Sequence, residues 1–141
     1  AGIWGTEHLV ASFDGAGVFR PYGHKITWKT KKTNWWHVDQ AHRKRGLHCV
    51  QGLVTLTDAT VSSGGLVVVP GSHRFHGDIL AGHEPKRSGW DYIGLEANEK
   101  VLTEGDNGPR LVSAQAGDLL LWDSRTVHCN TLPLQEDADL L

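Results

Sequence analysis

The segment Trp35-Trp-His-Val-Asp39 carries a histidine and an aspartate two positions apart, a spacing that could form part of a metal site. On a β-strand, residues i and i+2 point to the same face, so the His37 imidazole and the Asp39 carboxylate would lie side by side. A third ligand must come from elsewhere, and the best candidate is His128, which ends a strand-turn-strand segment beginning at residue 118. Two histidines and one carboxylate on one face leave coordination positions open, which suits non-haem Fe(II) and oxygen chemistry.

The His-x-Asp pattern also has an interpretation that involves no metal. Such a pair occurs often by chance, and it is then a surface contact or a hydrogen bond. The nine histidines of the chain justify a search for a metal site, because imidazole is the commonest metal ligand, but the surrounding sequence has to decide.

The elements that must position these residues are predicted to be short β-strands. Seventeen glycines are scattered among short runs rich in Val, Leu, Thr and Trp, a texture typical of an all-β protein with many turns. Sustained helical periodicity is missing except around residues 95–102, so we expect no long helices. The segment 73–110 is predicted to be a long loop excursion, of the kind that forms substrate lids on β scaffolds. The predicted strands are 25–30, 35–39, 48–58, 66–69, 111–113, 118–122 and 126–130.

Length, net charge and composition are those of a globular domain. At 141 residues the chain fits a single globular domain, and its net charge of −2 gives no electrostatic reason to expect nucleic acid or an anionic membrane as a partner. The longest apolar run, 66–70, is too short to span a bilayer. Two cysteines provide no disulfide framework, and no signal peptide is visible, so a reducing compartment, the cytoplasm, is expected. Since the chain opens on Ala1 and stops soon after His128, we expect the single core domain 1–141 to be truncated at both ends.

Three blocks of sequence together resemble the phytanoyl-CoA dioxygenase family. They are His37-Val-Asp39, then Gly64-Gly-Leu-Val-Val-Val-Pro-Gly-Ser-His73, then Gly117-Asp-Leu-Leu-Leu-Trp-Asp-Ser-Arg-Thr-Val-His128. Their order and spacing agree with the family over roughly residues 34 to 131. The resemblance implies a double-stranded β-helix, the cupin-like jelly roll, in which His37, Asp39 and His128 are the iron ligands and the catalytic centre.

The resemblance also implies the reaction. Members of the family use Fe(II), 2-oxoglutarate and O2 to oxidise a small molecule, releasing succinate and CO2. Relatives that halogenate replace the carboxylate ligand with a small residue, so Asp39 favours hydroxylation or another oxidation over halogenation. Substrate identity depends on loops such as 73–110 and is not predicted.

The far carboxylate of 2-oxoglutarate needs a cation, ideally a bidentate arginine. The family places that arginine on the strand after the distal histidine, yet none of the thirteen residues after His128 is Arg or Lys. We interpret this as a chain cut before the arginine; the alternative is a genuine departure from the pattern, which leaves 2-oxoglutarate binding open.

Three further residues are candidate co-substrate contacts. Asn130 lies two residues beyond His128 and hence on its face, where the family commonly has a small polar residue. Gln51 shares one strand face with two threonines, and that face lines either the barrel interior or the solvent. Arg125 could approach a carboxylate of the co-substrate or pair with Asp123.

Two other classes compete with the oxygenase. A cupin-type metalloenzyme without 2-oxoglutarate would typically show a His-x-His pair, which the sequence lacks. The complete ligand set argues against a catalytically silent jelly-roll binding domain, whereas the missing arginine leaves that alternative open.

Overall fold

The computed structural model describes residues 2–12, 15–18, 35–83, 85, 88–103 and 108–133. The predicted strand 25–30 lies outside these residues. The described elements, in chain order, are β1 (His37–Val38), β2 (Val50–Val54), β3 (Gly65–Val68), a 3-10 helix (Ser72–Phe75), α1 (His76–Ile79), β4 (Ile93–Gly94), α2 (Lys100–Thr103), β5 (Arg110–Leu111), β6 (Leu119–Asp123) and β7 (His128–Thr131).

Two antiparallel sheets form the core of the fold. The larger sheet has the strand order β4-β1-β7-β3-β5, and the smaller sheet pairs β2 with β6. Every described pairing is antiparallel. The prediction of an all-β jelly-roll core is confirmed, and six of the predicted strands overlap the observed strands β1, β2, β3, β5, β6 and β7.

Alternation along the larger sheet separates packing from chemistry. Val38, Val67 and Cys129 are buried on one face, where they join the apolar cluster that also contains Ile93 and Leu80. Strand alternation therefore turns the side chains of the intervening residues, the two site histidines among them, toward the opposite face.

The predicted excursion 73–110 contributes to this packing. Leu80, at the end of α1, lies in the apolar cluster, and Ile79, Val101 and Leu102 of the two short helices pack against it. Strand β4 pairs with β1 and was not predicted, because two residues carry too little pattern. The excursion is thus more than a loop: part of it covers the back of the larger sheet. Each described helix has only four residues, and none is long and apolar enough to cross a membrane.

A buried glutamine fixes the turn that follows β1. The Gln40 side chain is 1% exposed; its Nε2 donates to the carbonyls of Lys44 (2.9 Å) and Gly46 (2.8 Å). Its Oε1 accepts hydrogen bonds from the backbone N of His48 (3.2 Å) and from Ser124 Oγ (2.9 Å). The amide is therefore fully satisfied, as a buried polar group must be, and it ties the loop 40–48 to the turn between β6 and β7.

Gly64 occupies a place where a side chain cannot fit. It has φ +76°, and a Cβ there would lie 2.3 Å from the carbonyl oxygen of Thr131 on β7. Gly82 has a similar φ of +83°, yet a Cβ there would meet nothing within 4 Å. Adding a side chain at Gly82 would cost only the strain of a left-handed backbone, whereas at Gly64 it would cost that strain and a steric clash.

We expect Gly82→Ala to reduce the free energy of unfolding by about 1 kcal/mol, the cost of the positive φ alone. Gly64→Ala should cost at least about 3 kcal/mol, since overpacking against β7 adds to that strain. Urea denaturation followed by tryptophan fluorescence measures both. Equal losses in the two variants would contradict the close approach of Gly64 to β7.

Candidate metal centre

The centre is built where β1 meets β7. His37 and His128 are direct partners in the antiparallel pairing of these strands, and their ring centroids lie 4.2 Å apart. Both side chains are buried, at 4% and 5% exposure. Asp39 follows β1, and its backbone N donates to the carbonyl of Ser124 (3.0 Å), which holds it beside the end of β6. One ligand atom from each of the three residues lies within 4.8 Å of the others, so the predicted triad is brought together.

The two imidazoles are held in the same way. Nδ1 of His37 lies 2.9 Å from the carbonyl oxygen of Trp35, and Nδ1 of His128 lies 2.9 Å from that of Thr126. A carbonyl oxygen can only accept a hydrogen bond, so each Nδ1 carries the proton in the neutral ring. Each Nε2 is thereby left with its lone pair free, the form in which imidazole binds a metal.

The lone pairs of both rings point at one carboxylate oxygen. Asp39 Oδ2 lies 3.5 Å from Nε2 of His37 and 3.4 Å from Nε2 of His128. Three acceptor atoms facing one another repel unless a cation or a proton lies between them. Ligands at adjacent octahedral corners about 2.1 Å from one ion are about 3 Å apart, close to these separations. The donor set, two imidazoles and a carboxylate, fits Fe(II) or a similar divalent ion.

The carboxylate is kept ionised. Burial alone would raise the pKa of Asp39, but hydrogen bonds that His128 and His37 donate when their rings are protonated, a hydrogen bond from Gln51 and the charge of protonated His37 outweigh that effect and hold the pKa well below its usual range. Gln51 Nε2 donates to Asp39 Oδ2 at 2.8 Å. The carboxylate that could bind a metal is therefore ionised at physiological pH.

Aromatic rings enclose the histidines. Trp35 and Tyr92 both stack on His37 with centroid separations of 4.7 Å, and Trp122 lies 5.3 Å from His128. Burial raises the pKa of Tyr92, and the nearby Asp39 and Cys129 raise it further, so the phenol stays protonated. These rings restrict the tilt of the imidazoles and remove water from one side of the site.

Tyr92 was not predicted, because the excursion that carries it has no strong pattern. Its position is set by Asp91, whose carboxylate pairs with the side chains of Arg43 and Lys44. Arg43 also donates to the carbonyls of Gly89 (3.0 Å) and Trp90 (2.9 Å). The loop after Asp39 and the segment before β4 thus hold each other in place.

The three predicted co-substrate contacts have different surroundings. Gln51 faces Asp39, so its strand face lines the interior of the fold. Asn130 lies on β7 two residues beyond His128 and is half-buried; its backbone carbonyl accepts a hydrogen bond from Trp35 Nε1 (3.1 Å).

Arg125 is engaged by Asp123. Its Nε donates to both carboxylate oxygens (2.9 and 3.2 Å), and Nη2 forms a further contact with Oδ2. Burial would raise the pKa of Asp123, but these hydrogen bonds outweigh it and lower that pKa. The ion pair is the alternative that the sequence offered for Arg125. A role for Arg125 toward the co-substrate stays a prediction, without support from the described contacts.

Sequence reasoning missed the polar supports of the site. Gln40 is adjacent to Asp39, and its backbone carbonyl accepts a 2.6 Å hydrogen bond from Nε2 of the buried His76. Ser72 Oγ accepts a bond from the backbone N of Val127, next to His128 (2.9 Å). The sequence gives a partial indication for Ser72, which lies inside the second of the three motif blocks. It gives none for Gln40, because a glutamine after a His-x-Asp pair indicates nothing by itself.

Comparison with known proteins adds three relationships. The family model of phytanoyl-CoA dioxygenase (PhyH) matches residues 14–129. "Ava biosynthesis cluster protein O" of Aspergillus versicolor is 29% identical over 136 residues, covering 91% of this chain and 43% of that protein. Ectoine dioxygenase of Halomonas elongata is 28% identical over 134 residues, covering 83% of this chain and 40% of that protein. The chain thus spans about two fifths of the length of these curated relatives, and no solved structure matches it significantly.

Replacing Asp39 by Asn tests whether the Asp39 carboxylate and the two imidazole Nε2 atoms repel one another in the metal-free protein. The amide can donate to an imidazole Nε2, so at mildly alkaline pH the metal-free variant should unfold at a higher temperature than the wild type. The variant should also lose its stabilisation by Mn(II), which in the wild type amounts to about 2.7 kcal/mol at a hundredfold excess over Kd. Differential scanning calorimetry with and without Mn(II) measures both.

The control is Asp78→Asn, which removes an exposed carboxylate on α1 away from the site. It should leave the response to Mn(II) intact. An Asp39→Asn variant that is stabilised by Mn(II) as strongly as the wild type would exclude Asp39 as a ligand.

Proposed function

Because this chain belongs to the phytanoyl-CoA dioxygenase family, we propose that it is the core of an Fe(II)- and 2-oxoglutarate-dependent oxygenase that hydroxylates a small molecule. The observation that carries the proposal is the convergence of His37 Nε2, His128 Nε2 and Asp39 Oδ2 on one point. Three protein ligands on one side of an octahedral ion leave three positions for co-substrate and oxygen.

The protein's part in such a reaction is to bind and to orient. His37, His128 and Asp39 would hold the ion, and the carbonyls of Trp35 and Thr126 keep both rings in the metal-binding tautomer. When bound, Fe(II) together with 2-oxoglutarate supplies the oxidising chemistry of this enzyme class. The ionised Asp39 balances part of the metal charge, which lowers the cost of placing a cation in a partly buried site.

The aromatic rings of Trp35 and Tyr92 also limit access to the site. Trp35 and Tyr92 wall the space next to the ion, which limits the access of water and leaves a small molecule a defined approach. The presence of Asp39 fills the position that a halide would need, so hydroxylation is favoured over halogenation.

A small-molecule substrate agrees with the relatives. One of them is named for a biosynthesis cluster and the other for ectoine. For 2-oxoglutarate, we propose contacts from the face of β7 that carries His128 and Asn130. The cation for its far carboxylate is not assigned, since residues 129–141 contain no Arg or Lys and Arg125 is engaged by Asp123.

The test is spectroscopic. The full gene product, loaded anaerobically with Fe(II) and 2-oxoglutarate, should show a weak visible charge-transfer band, because the keto acid chelates the ion. His37→Ala and Asp39→Ala should abolish the band. Release of succinate on exposure to oxygen would then establish turnover.

A matched control is His48→Ala, which removes an exposed histidine whose ring contacts only the carbonyl of Arg45 among the described residues. Its band should match the wild type. If the full-length wild type binds Fe(II) but gives no band, the proposal that it uses 2-oxoglutarate is wrong. A catalytically silent jelly-roll domain or a cupin-type metalloenzyme would then be favoured.

A further inference from the structure

Gln51 touches the atom on which the metal centre converges. It lies on β2, in the smaller sheet, and reaches across the interior so that Nε2 lies 2.8 Å from Asp39 Oδ2. That oxygen is the one nearest to Nε2 of both His37 and His128. The amide therefore acts on the ligand face of the carboxylate.

This orientation leaves part of the amide unsatisfied. Gln51 Oε1 is buried and has no hydrogen-bond partner among the residues that the structure describes. Turning the amide over would place that oxygen against the carboxylate, two acceptors in contact, so the negative charge of Asp39 dictates the orientation. A buried unpaired acceptor destabilises a fold. The orientation that donates to Asp39 therefore carries the cost of one unpaired acceptor.

Trp122, the residue paired with Gln51 across the smaller sheet, also has a buried polar atom near the metal centre. Trp122 on β6 lies opposite Gln51, and its indole is 5.3 Å from the ring of His128. Its Nε1 is also buried, and no group in the described part of the chain pairs with it. Two apolar side chains would pack here without unpaired atoms, so the polar groups point to a function.

We propose that Gln51 is a positioning residue for the metal: its amide fixes the Asp39 carboxylate so that Oδ2 faces the ion between the two histidines. The proposal rests on the metal centre proposed above. It assigns Gln51 to Asp39 instead of to the co-substrate that the sequence suggested.

The variant that tests it is Gln51→Met, which keeps the length of the side chain and removes the donor. We expect Mn(II) to bind about 10- to 100-fold more weakly, the usual effect of losing a group that orients a ligand. The metal-free protein should unfold close to the temperature of the wild type, because water can replace the lost bond at the 28% exposed Asp39 side chain and the unpaired Oε1 is gone. With Co(II), the ligand-field spectrum should shift, since Asp39 is no longer held in one orientation.

The matched control is Leu53→Met, which places the same new side chain on the same face of β2, two residues from Gln51, and removes no hydrogen-bond donor. Its affinity for Mn(II) should equal that of the wild type. Equal weakening in both variants would mean that the smaller sheet, not the amide, sets the affinity, and would overturn the proposal.

Two further results would overturn it: unchanged Mn(II) affinity in Gln51→Met, or weaker affinity that appears only together with a loss of metal-free stability. If Gln51→Met does not fold, Gln51→Asn, which is too short to reach Asp39, is judged by the same measurements. A wild type that binds neither Mn(II) nor Fe(II) would instead refute the metal centre itself, so the two failures are distinguishable.

Discussion

Two imidazoles can meet one carboxylate here because His37 and His128 are direct partners in neighbouring antiparallel strands. Strand β1 has only two residues, but it is bonded to β4 on one side and to β7 on the other, so its register is fixed from both edges. The Nδ1 contacts then follow from local geometry, since each ring reaches the carbonyl two residues before it. Every other feature of the site adjusts side chains that this register has already placed.

Stability and chemistry are divided between the faces of the larger sheet. The apolar cluster that contains Val38 and Cys129 supplies packing. The opposite face gathers acceptors that repel one another, together with two buried polar atoms that have no partner within the described ranges. Such an interior is tolerated because the back of the sheet and the fully bonded Gln40 hold the strands in place. A protein that keeps unfavourable contacts at one point, and satisfies its polar groups elsewhere, has the usual pattern of a functional site.

Much of this arrangement could be predicted from the sequence. Strand alternation places His37 beside Asp39, and the family motif supplies His128, which no periodicity indicates. The orientation of Gln51 was open between interior and solvent, because the pattern of β2 does not state which face is covered. Tyr92 depends on ion pairs of Asp91 with a distant loop, and contacts of that kind leave no trace in local sequence. The pairing of Arg125 with Asp123 was foreseen only as one of two options.

The strict alternation of β1 and β7 has a consequence for how the chain can change its length. One residue inserted in β7 before His128 would turn the imidazole toward the apolar cluster and bring Cys129 toward the charged interior. Ligand geometry and packing would fail together, and no second substitution at a single position could restore both. In the exposed turn at residues 81–82, just after α1, an inserted residue only lengthens a connection. Length variation is therefore compatible with that turn and incompatible with the strands that carry His37 and His128.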